Sequence, residues 1–214
     1  MDLGLTGKIA IVGGSSKGIG LAVAQSLVRE GSHVTIVARH GDELEAAASK
    51  LRAKTHAGAV LNIVGDLSNP KDILRVFDET IARWRRVDIV INNLGGPPAG
   101  ELMDFSDDQW QSAFDLNFSS AMRMNRLALP GMIERGHGRI IAVLSKAIKE
   151  PEDRLGLSTV ARSALSSYSK LLAQEVAGNG ITLPSLKFRL MESDTIFRRI
   201  REIPTTPNLA YHYA

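Results

Sequence analysis

The 214 residues are 44% hydrophobic and 23% charged with a formal net charge of +3, a balance that fits one globular domain with a sizeable core. The absence of cysteine excludes disulfides, thiolate catalysis and cysteine-ligated zinc, and suits a reducing, cytoplasmic setting. His33, His40, His56, His137 and His212 lack metal-ligand spacing, no apolar run approaches a membrane span, Met1–Leu5 carries no targeting pattern, and the basic residues are dispersed rather than gathered into a nucleic-acid stripe.

The first predicted strand, Ile9 to Val12, runs into Gly13-Gly14-Ser15-Ser16-Lys17-Gly18-Ile19-Gly20 and then a helix reading Ile19, Val23 and Leu27, with Gly31 as its stop. Glycines suit a turn that needs φ > 0 and the close approach of a phosphate, and free N–H groups at a helix start favour negative charge, so a dinucleotide pyrophosphate is the expected ligand. A second strand, His33 to Ala38, precedes a helix from Asp42 carrying Leu44, Ala47, Ala48 and Leu51. A third strand, Ala59 to Val64, ends at Gly65-Asp66-Leu67. Asn69 as cap and Pro70 at the first position open a helix whose apolar face is expected to be Ile73, Val76, Phe77, Ile81 and Trp84.

The fourth strand, Val87 to Ile91, breaks off at Asn92-Asn93-Leu94-Gly95-Gly96-Pro97-Pro98, at the strand end where open α/β sheets bind ligands. Ser106 and Gln109 form a capping box for a long helix through Trp110, Phe114 and Asn117 toward Leu129. A fifth strand, Arg139 to Leu144, delivers Ser145 to the same edge, and Ser158 to Val176 reads as helix. Ile181 to Leu183 makes a sixth strand, Met191 to Ile203 one amphipathic helix, and Pro204 to Ala214 a tail. Alternating strands and helices predict a doubly wound parallel sheet in three α/β/α layers. The whole reads as a single domain, with a core over 1–185, a remnant of a substrate lid over 186–203 and the tail over 204–214.

Together these pieces resemble the short-chain dehydrogenase/reductase family from residue 4 to about residue 201. Gly14-Ser15-Ser16-Lys17-Gly18-Ile19-Gly20 is similar to its TGxxxGIG cofactor motif, with Gly13 in place of threonine. Asp66-Leu67 looks like the adenine-contacting pair and Asn92-Asn93-Leu94-Gly95 like NNAG, so Asp66, Leu67, Asn93 and Gly95 join the implied cofactor site. The resemblance implies a Rossmann fold and an oxidoreductase that moves hydride between a nicotinamide and a carbonyl or alcohol. Arg39 after the second strand and Lys17 in the glycine turn supply positive charge suited to a ribose 2′-phosphate, favouring NADP over NAD.

The implied catalytic set departs from the family. Ser145 fits its serine and Asn117 its helix asparagine, but Ser158 stands where tyrosine is usual and Arg162 where lysine is usual. Tyr168-Ser169-Lys170 is out of register: Leu172 stands four residues after Tyr168, which lies about 15 Å further along the helix than Ser158 at ~1.5 Å per residue. It reads as a packing or interface residue. Serine and arginine at these positions, with Gly95-Gly96-Pro97-Pro98, resemble a divergent subgroup similar to 3-oxoacyl-[acyl-carrier-protein] reductases. Arg162 keeps a positive charge for the nicotinamide ribose, while Ser158 is a poor acid, and Lys146 or Lys149 is a candidate proton source.

Phe188-Arg189 replaces the Pro-Gly turn that contacts the carboxamide, and the chain stops before the family's last helix and strand. A 3-oxoacyl thioester or similar ketone is the implied substrate class. The alternative is an NADP-binding sensor or partner protein with little turnover. The family commonly forms dimers or tetramers through the two long helices, here with Leu165, Tyr168, Leu171 and Leu172 as candidate contacts.

Overall fold

The computed structural model describes residues 3–53 and 59–188. Strands β1 (Ile9–Gly13), β2 (His33–Ala38), β3 (Val60–Val64), β4 (Ile89–Asn92), β5 (Gly138–Ser145), β6 (Ile181–Thr182) and β7 (Ser185–Phe188) alternate with helices α1 (Gly18–Arg29), α2 (Gly41–Arg52), α3 (Pro70–Trp84), α4 (Asp107–Phe114), α5 (Ser120–Glu134) and α6 (Gly156–Val176). All strands pair in parallel, in the order β3-β2-β1-β4-β5-β6, and β7 also pairs with β5. The fold is therefore a doubly wound α/β sheet in three layers. Its order reverses between β1 and β4, and that reversal opens a cleft above their carboxyl ends.

Period-two burial on both faces produces the layers. Ile11, Val37, Ile63 and Val90 pack one face against Ile73, Val76 and Phe77 of α3 and Met124 and Met132 of α5. Ala10, Val12, Ile36, Ile89 and Ile91 pack the other against Val23 and Leu27 of α1 and Leu44 and Leu51 of α2. The expected caps are present: Asn69 accepts from the Lys71 N–H at 3.0 Å, and both halves of the Ser106–Gln109 capping box form.

Several boundaries and faces differ from expectation. On α3 the buried face includes Thr80 while Ile81 is exposed and Trp84 half-buried. Thr80 is satisfied there because its hydroxyl bonds the Val76 carbonyl at 2.6 Å and meets the Thr35 hydroxyl at 2.8 Å. The sixth strand ends at Thr182, one residue short of the expected Leu183, but pairing on the same edge does not end there. After Pro184, which has no N–H to donate, β7 resumes pairing on β5 in the same register as β6 and runs through Phe188. Leu165 is buried beside Ala142 and Leu144, so it is core rather than interface surface, whereas Leu171 is 61% exposed. The helix expected over Met191 to Ile203 and the tail lie outside the described residues. Among the described residues no helix is long and apolar enough to cross a membrane.

One buried carboxylate ties the amino end of the sheet. Asp88, 3% exposed, accepts from the Ile9 N–H and from Arg86 Nε, both at 2.9 Å, with Arg135 Nε at 3.8 Å. Replacing it with alanine strips the partner from a buried backbone N–H and removes the counter-charge of two arginines. A stability loss of about 2–3 kcal/mol is expected in urea unfolding at neutral pH. An unchanged midpoint would show that water satisfies the Ile9 N–H.

Candidate active site

The glycine turn is held from two sides. Gly14 has φ +57, and a Cβ there would come within 2.7 Å of the Asn93 carbonyl, while one on Gly20 would collide with the Gly14 carbonyl. Asn93, just past β4, donates from Nδ2 to the Gly13 and Gly14 carbonyls at 3.0 and 3.2 Å. Ser15 is fully buried, donating to the Val12 carbonyl at 2.7 Å and accepting from the Val37 N–H at 2.8 Å. Its side chain thus braces the turn against β2 rather than facing the cleft.

Beyond this brace the turn is open. Gly18 has φ +58 with nothing within 4 Å of a Cβ position among the described residues. Helix α1 starts there with Lys17 as N-cap, no side-chain cap bond and no acidic residue in its first turn. Unopposed N–H groups at a glycine-lined helix start fit a pyrophosphate. This is the observation on which a dinucleotide fits the residues present, with Gly14, Ser16, Lys17, Gly18, Ile19 and Gly20 around it.

At the end of β2, Arg39 and His40 are exposed. Arg39 lines a cleft of about 300 Å³ with Asp66, Ser68, Ser112, Asp115 and Leu116. The Asp66 carboxylate accepts from the Ser68 N–H at 2.9 Å and its hydroxyl at 2.8 Å, and Leu67 is buried in the core. Glu43, in the first turn of α2, reaches across to the glycine turn: its carboxylate lies 3.2 Å from Lys17 Nζ and accepts from the Ser16 hydroxyl at 3.3 Å. The Lys17 ammonium holds the Glu43 carboxyl below the usual carboxylate range. Sequence reading missed Glu43, because its partners lie on another element and only its place in the first turn of a helix beside Arg39 marks it.

The reactive corner is built around Gly95 and Arg162. The helix that begins with α4 widens over Asp115–Ser119 into a π turn, in which the Ser120 N–H bonds to the Asp115 carbonyl. Asn117 sits in that turn, buried, donating from Nδ2 to the Gly95 carbonyl at 2.8 Å. Its Oδ1 is buried without a partner among the described residues. From α6, Arg162 donates through NH1 to the Val143 carbonyl at 2.8 Å and through NH2 to the Leu94 and Gly95 carbonyls at 3.0 and 3.2 Å. Its Nε donates to Ser158 Oγ at 3.1 Å. The guanidinium therefore clamps the loop after β4 onto β5. Burial lowers its pKa from the ordinary value, and among the described residues it forms no ion pair.

Ser158 and Ser145 share one hydrogen-bonding state. Ser158 Oγ accepts from Arg162, and Ser145 Oγ, at the end of β5, accepts from the Ala147 N–H at 3.1 Å. Among the described residues neither hydroxyl donates. Each oxygen is oriented by a donor behind it, leaving its proton available.

Other candidates are engaged elsewhere. Lys146 pairs with Glu152 at 3.0 Å and Glu150 at 3.7 Å. Lys149, the other candidate, stands beside Lys187, whose half-buried ammonium is pushed down by burial and then by the charges of Lys149 and Lys170. Tyr168 packs edge-on against Phe118 at 5.8 Å, in the cluster with Leu144 and Leu165 and away from Ser158. Burial raises its phenol pKa.

The loops after β4 and β5 also meet, which sequence reading did not anticipate. The Gly100 N–H donates to the Arg154 carbonyl at 2.9 Å, and Gly100 bridges to Leu155. Beside this crossing lies a cavity of about 410 Å³ lined by Leu102, Gly156, Thr159 and Val160 among others. The Thr159 hydroxyl is buried without a partner among the described residues.

Comparison with known proteins agrees with this geometry. The family model for short chain dehydrogenase matches residues 8–198. The chain is 34% identical over 184 residues to the oxidoreductase YvaG of Bacillus subtilis, covering 86% of this chain and 68% of that one. It is 32% identical over 188 residues to the 3-oxoacyl-[acyl-carrier-protein] reductase FabG of Escherichia coli, covering 88% and 75%. Among solved structures, the L-sorbose reductase of Gluconobacter frateurii, crystallised with NADPH and L-sorbose, superposes with a TM-score of 0.86 at 33% identity, covering 94% of this chain and 76% of that one. A parallel sheet with its switch point at a glycine turn, and sequence similarity across nearly its whole length, place this chain in the short-chain dehydrogenase family, a family of oxidoreductases.

Proposed function

We propose that this chain is an NADP-dependent oxidoreductase that transfers hydride between the nicotinamide and a carbonyl or alcohol. The observation that carries the reading is the pair of serine hydroxyls, Ser145 and Ser158, whose oxygens are each occupied by a protein donor and whose protons, among the described residues, are not engaged. Each hydroxyl would present its proton to the oxygen of a carbonyl substrate, where negative charge gathers as the carbon is reduced. Arg162, behind Ser158, adds fixed positive charge at that oxygen's side. Because serine is a weak acid, the two hydroxyls stabilise the oxyanion and water supplies the proton.

The nicotinamide supplies the hydride. The turn from Gly14 to Gly20 would take the pyrophosphate, Arg39 and Lys17 the 2′-phosphate, Asp66 and Leu67 the adenine, and Asn93, Gly95 and Arg162 the nicotinamide half. The NADPH bound to L-sorbose reductase supports the choice of cofactor, and the similarity to 3-oxoacyl-[acyl-carrier-protein] reductase supports a 3-oxoacyl thioester or similar ketone as substrate. We place the protein in the cytoplasm, as a homodimer or homotetramer joined through α4–α5 and α6. Exposed Leu127 and Ile133 on α5 and Val160 and Leu171 on α6 support that surface.

The test is a fluorescence titration with NADPH and, separately, NADH, followed by a panel of carbonyl compounds. Saturable NADPH binding and oxidation by a ketone are expected. Binding without oxidation by any carbonyl would point instead to a sensor or partner protein.

A further inference from the structure

We propose that Glu43 sets the preference between the two nicotinamide dinucleotides, by occupying Lys17 as a counter-ion that a ribose 2′-phosphate must displace and a 2′-hydroxyl need not. The inference rests on the cofactor reading above. Of the two cations at this end of the cleft, Arg39 makes no ion pair among the described residues, whereas Lys17 is already bonded to Glu43 at 3.2 Å. The second Glu43 oxygen accepts from Ser16 at 3.3 Å, so the carboxylate spans two consecutive residues of the glycine turn. It reaches them from the opposite wall, at the start of α2.

A phosphate monoester carries about −1.5 to −2 charge near neutral pH. To use Lys17 it must break the pair with Glu43 and then sit near a carboxylate that the Lys17 ammonium keeps ionised. The pair is exposed, with side chains 76% and 45% accessible, so it yields to a stronger anion but opposes it. A 2′-hydroxyl is neutral and can donate to the same carboxylate. Glu43 therefore narrows the advantage of NADP over NAD that Lys17 and Arg39 alone would create.

The test compares wild type with Glu43→Gln, which keeps the shape and removes the charge. Dissociation constants for NADPH and NADH are measured at fixed ionic strength, with adenosine 2′,5′-bisphosphate and 5′-AMP as fragments that lack the nicotinamide. The NADPH-over-NADH preference, and the parallel preference between the fragments, should rise about fivefold, the size expected for one exposed charge. In a Lys17→Gln background the same substitution should change the preference by less, since the two groups act as a pair. An unchanged preference overturns the proposal. So does an equal shift for both dinucleotides, which would make Glu43 a brace for the glycine turn alone. Binding of neither dinucleotide by wild type would overturn the cofactor reading and this inference with it, whereas tight NADPH binding with an inert Glu43→Gln variant removes only the inference.

Discussion

Replacing Arg162 by methionine should lower stability by about 2 kcal/mol, roughly one for each of the Val143 and Leu94 carbonyls that lose its donor, while the Gly95 carbonyl keeps the Asn117 amide. Turnover should fall with it, because the loop after β4 is no longer tied to β5 and Ser158 loses the donor that orients it. Part of the loss is offset, since burying a guanidinium with no carboxylate beside it among the described residues is itself costly. Lysine in its place keeps a charge but not the planar fork, and cannot reach carbonyls on two elements together with Ser158, so an intermediate loss of about 1 kcal/mol is expected. Urea unfolding of the three proteins at neutral pH decides the matter. A methionine variant as stable as wild type would mean that water satisfies the freed carbonyls and that Arg162 serves only the ligand.

Removing the Ser145 hydroxyl should reduce kcat by about 100-fold, with KM and NADPH affinity nearly unchanged, because the hydroxyl is asked to bind an oxygen more tightly as it becomes negative. The fold should tolerate alanine there, since among the described residues the only bond lost is that from the Ala147 N–H at a short helical turn. Ser158→Ala should act in the same direction, and the double variant should cost less than the product of the two if, as proposed, both hydroxyls serve one oxygen. Steady-state kinetics on the best ketone of the panel supply the numbers. A Ser145→Ala variant of undiminished kcat would remove Ser145 from the chemistry.

Most of the architecture could be read from local pattern, for physical reasons particular to this fold. Strands buried on both faces appear as short apolar runs, Asn69 and Ser106 announce their helices through side-chain caps, and the glycine turn is marked by the conformations only glycine takes easily. What escaped reading depends on partners distant along the chain. Thr80 looks polar in sequence and is buried because Thr35 of β2 and its own helix satisfy it. Pro184 reads as the end of a strand, yet the register with β5 carries through it. In the reactive corner, the residue types Ser145, Ser158, Asn117 and Arg162 were legible, but the role of Arg162 as a clamp was not, since backbone carbonyls leave no mark in a sequence. Glu43 escaped for a similar reason: an exposed acid in the first turn of a helix is common, and only the fold brings it to Lys17.

The widened turn at Asp115–Ser119 has a bearing on how this site tolerates change in chain length. An α-helix advances about 100° per residue, at ~3.6 residues per turn, so the extra residue there rotates everything on its amino-terminal side relative to α5. Excising a single residue would let the helix close into regular hydrogen bonding, and would swing Asn117 away from the Gly95 carbonyl it now holds. The regular helix would gain backbone bonds while the loop beneath the reactive corner lost an anchor. At this point the spacing of the chain, rather than the chemistry of any one side chain, keeps the site assembled, and a one-residue gap here would do more harm than most substitutions nearby.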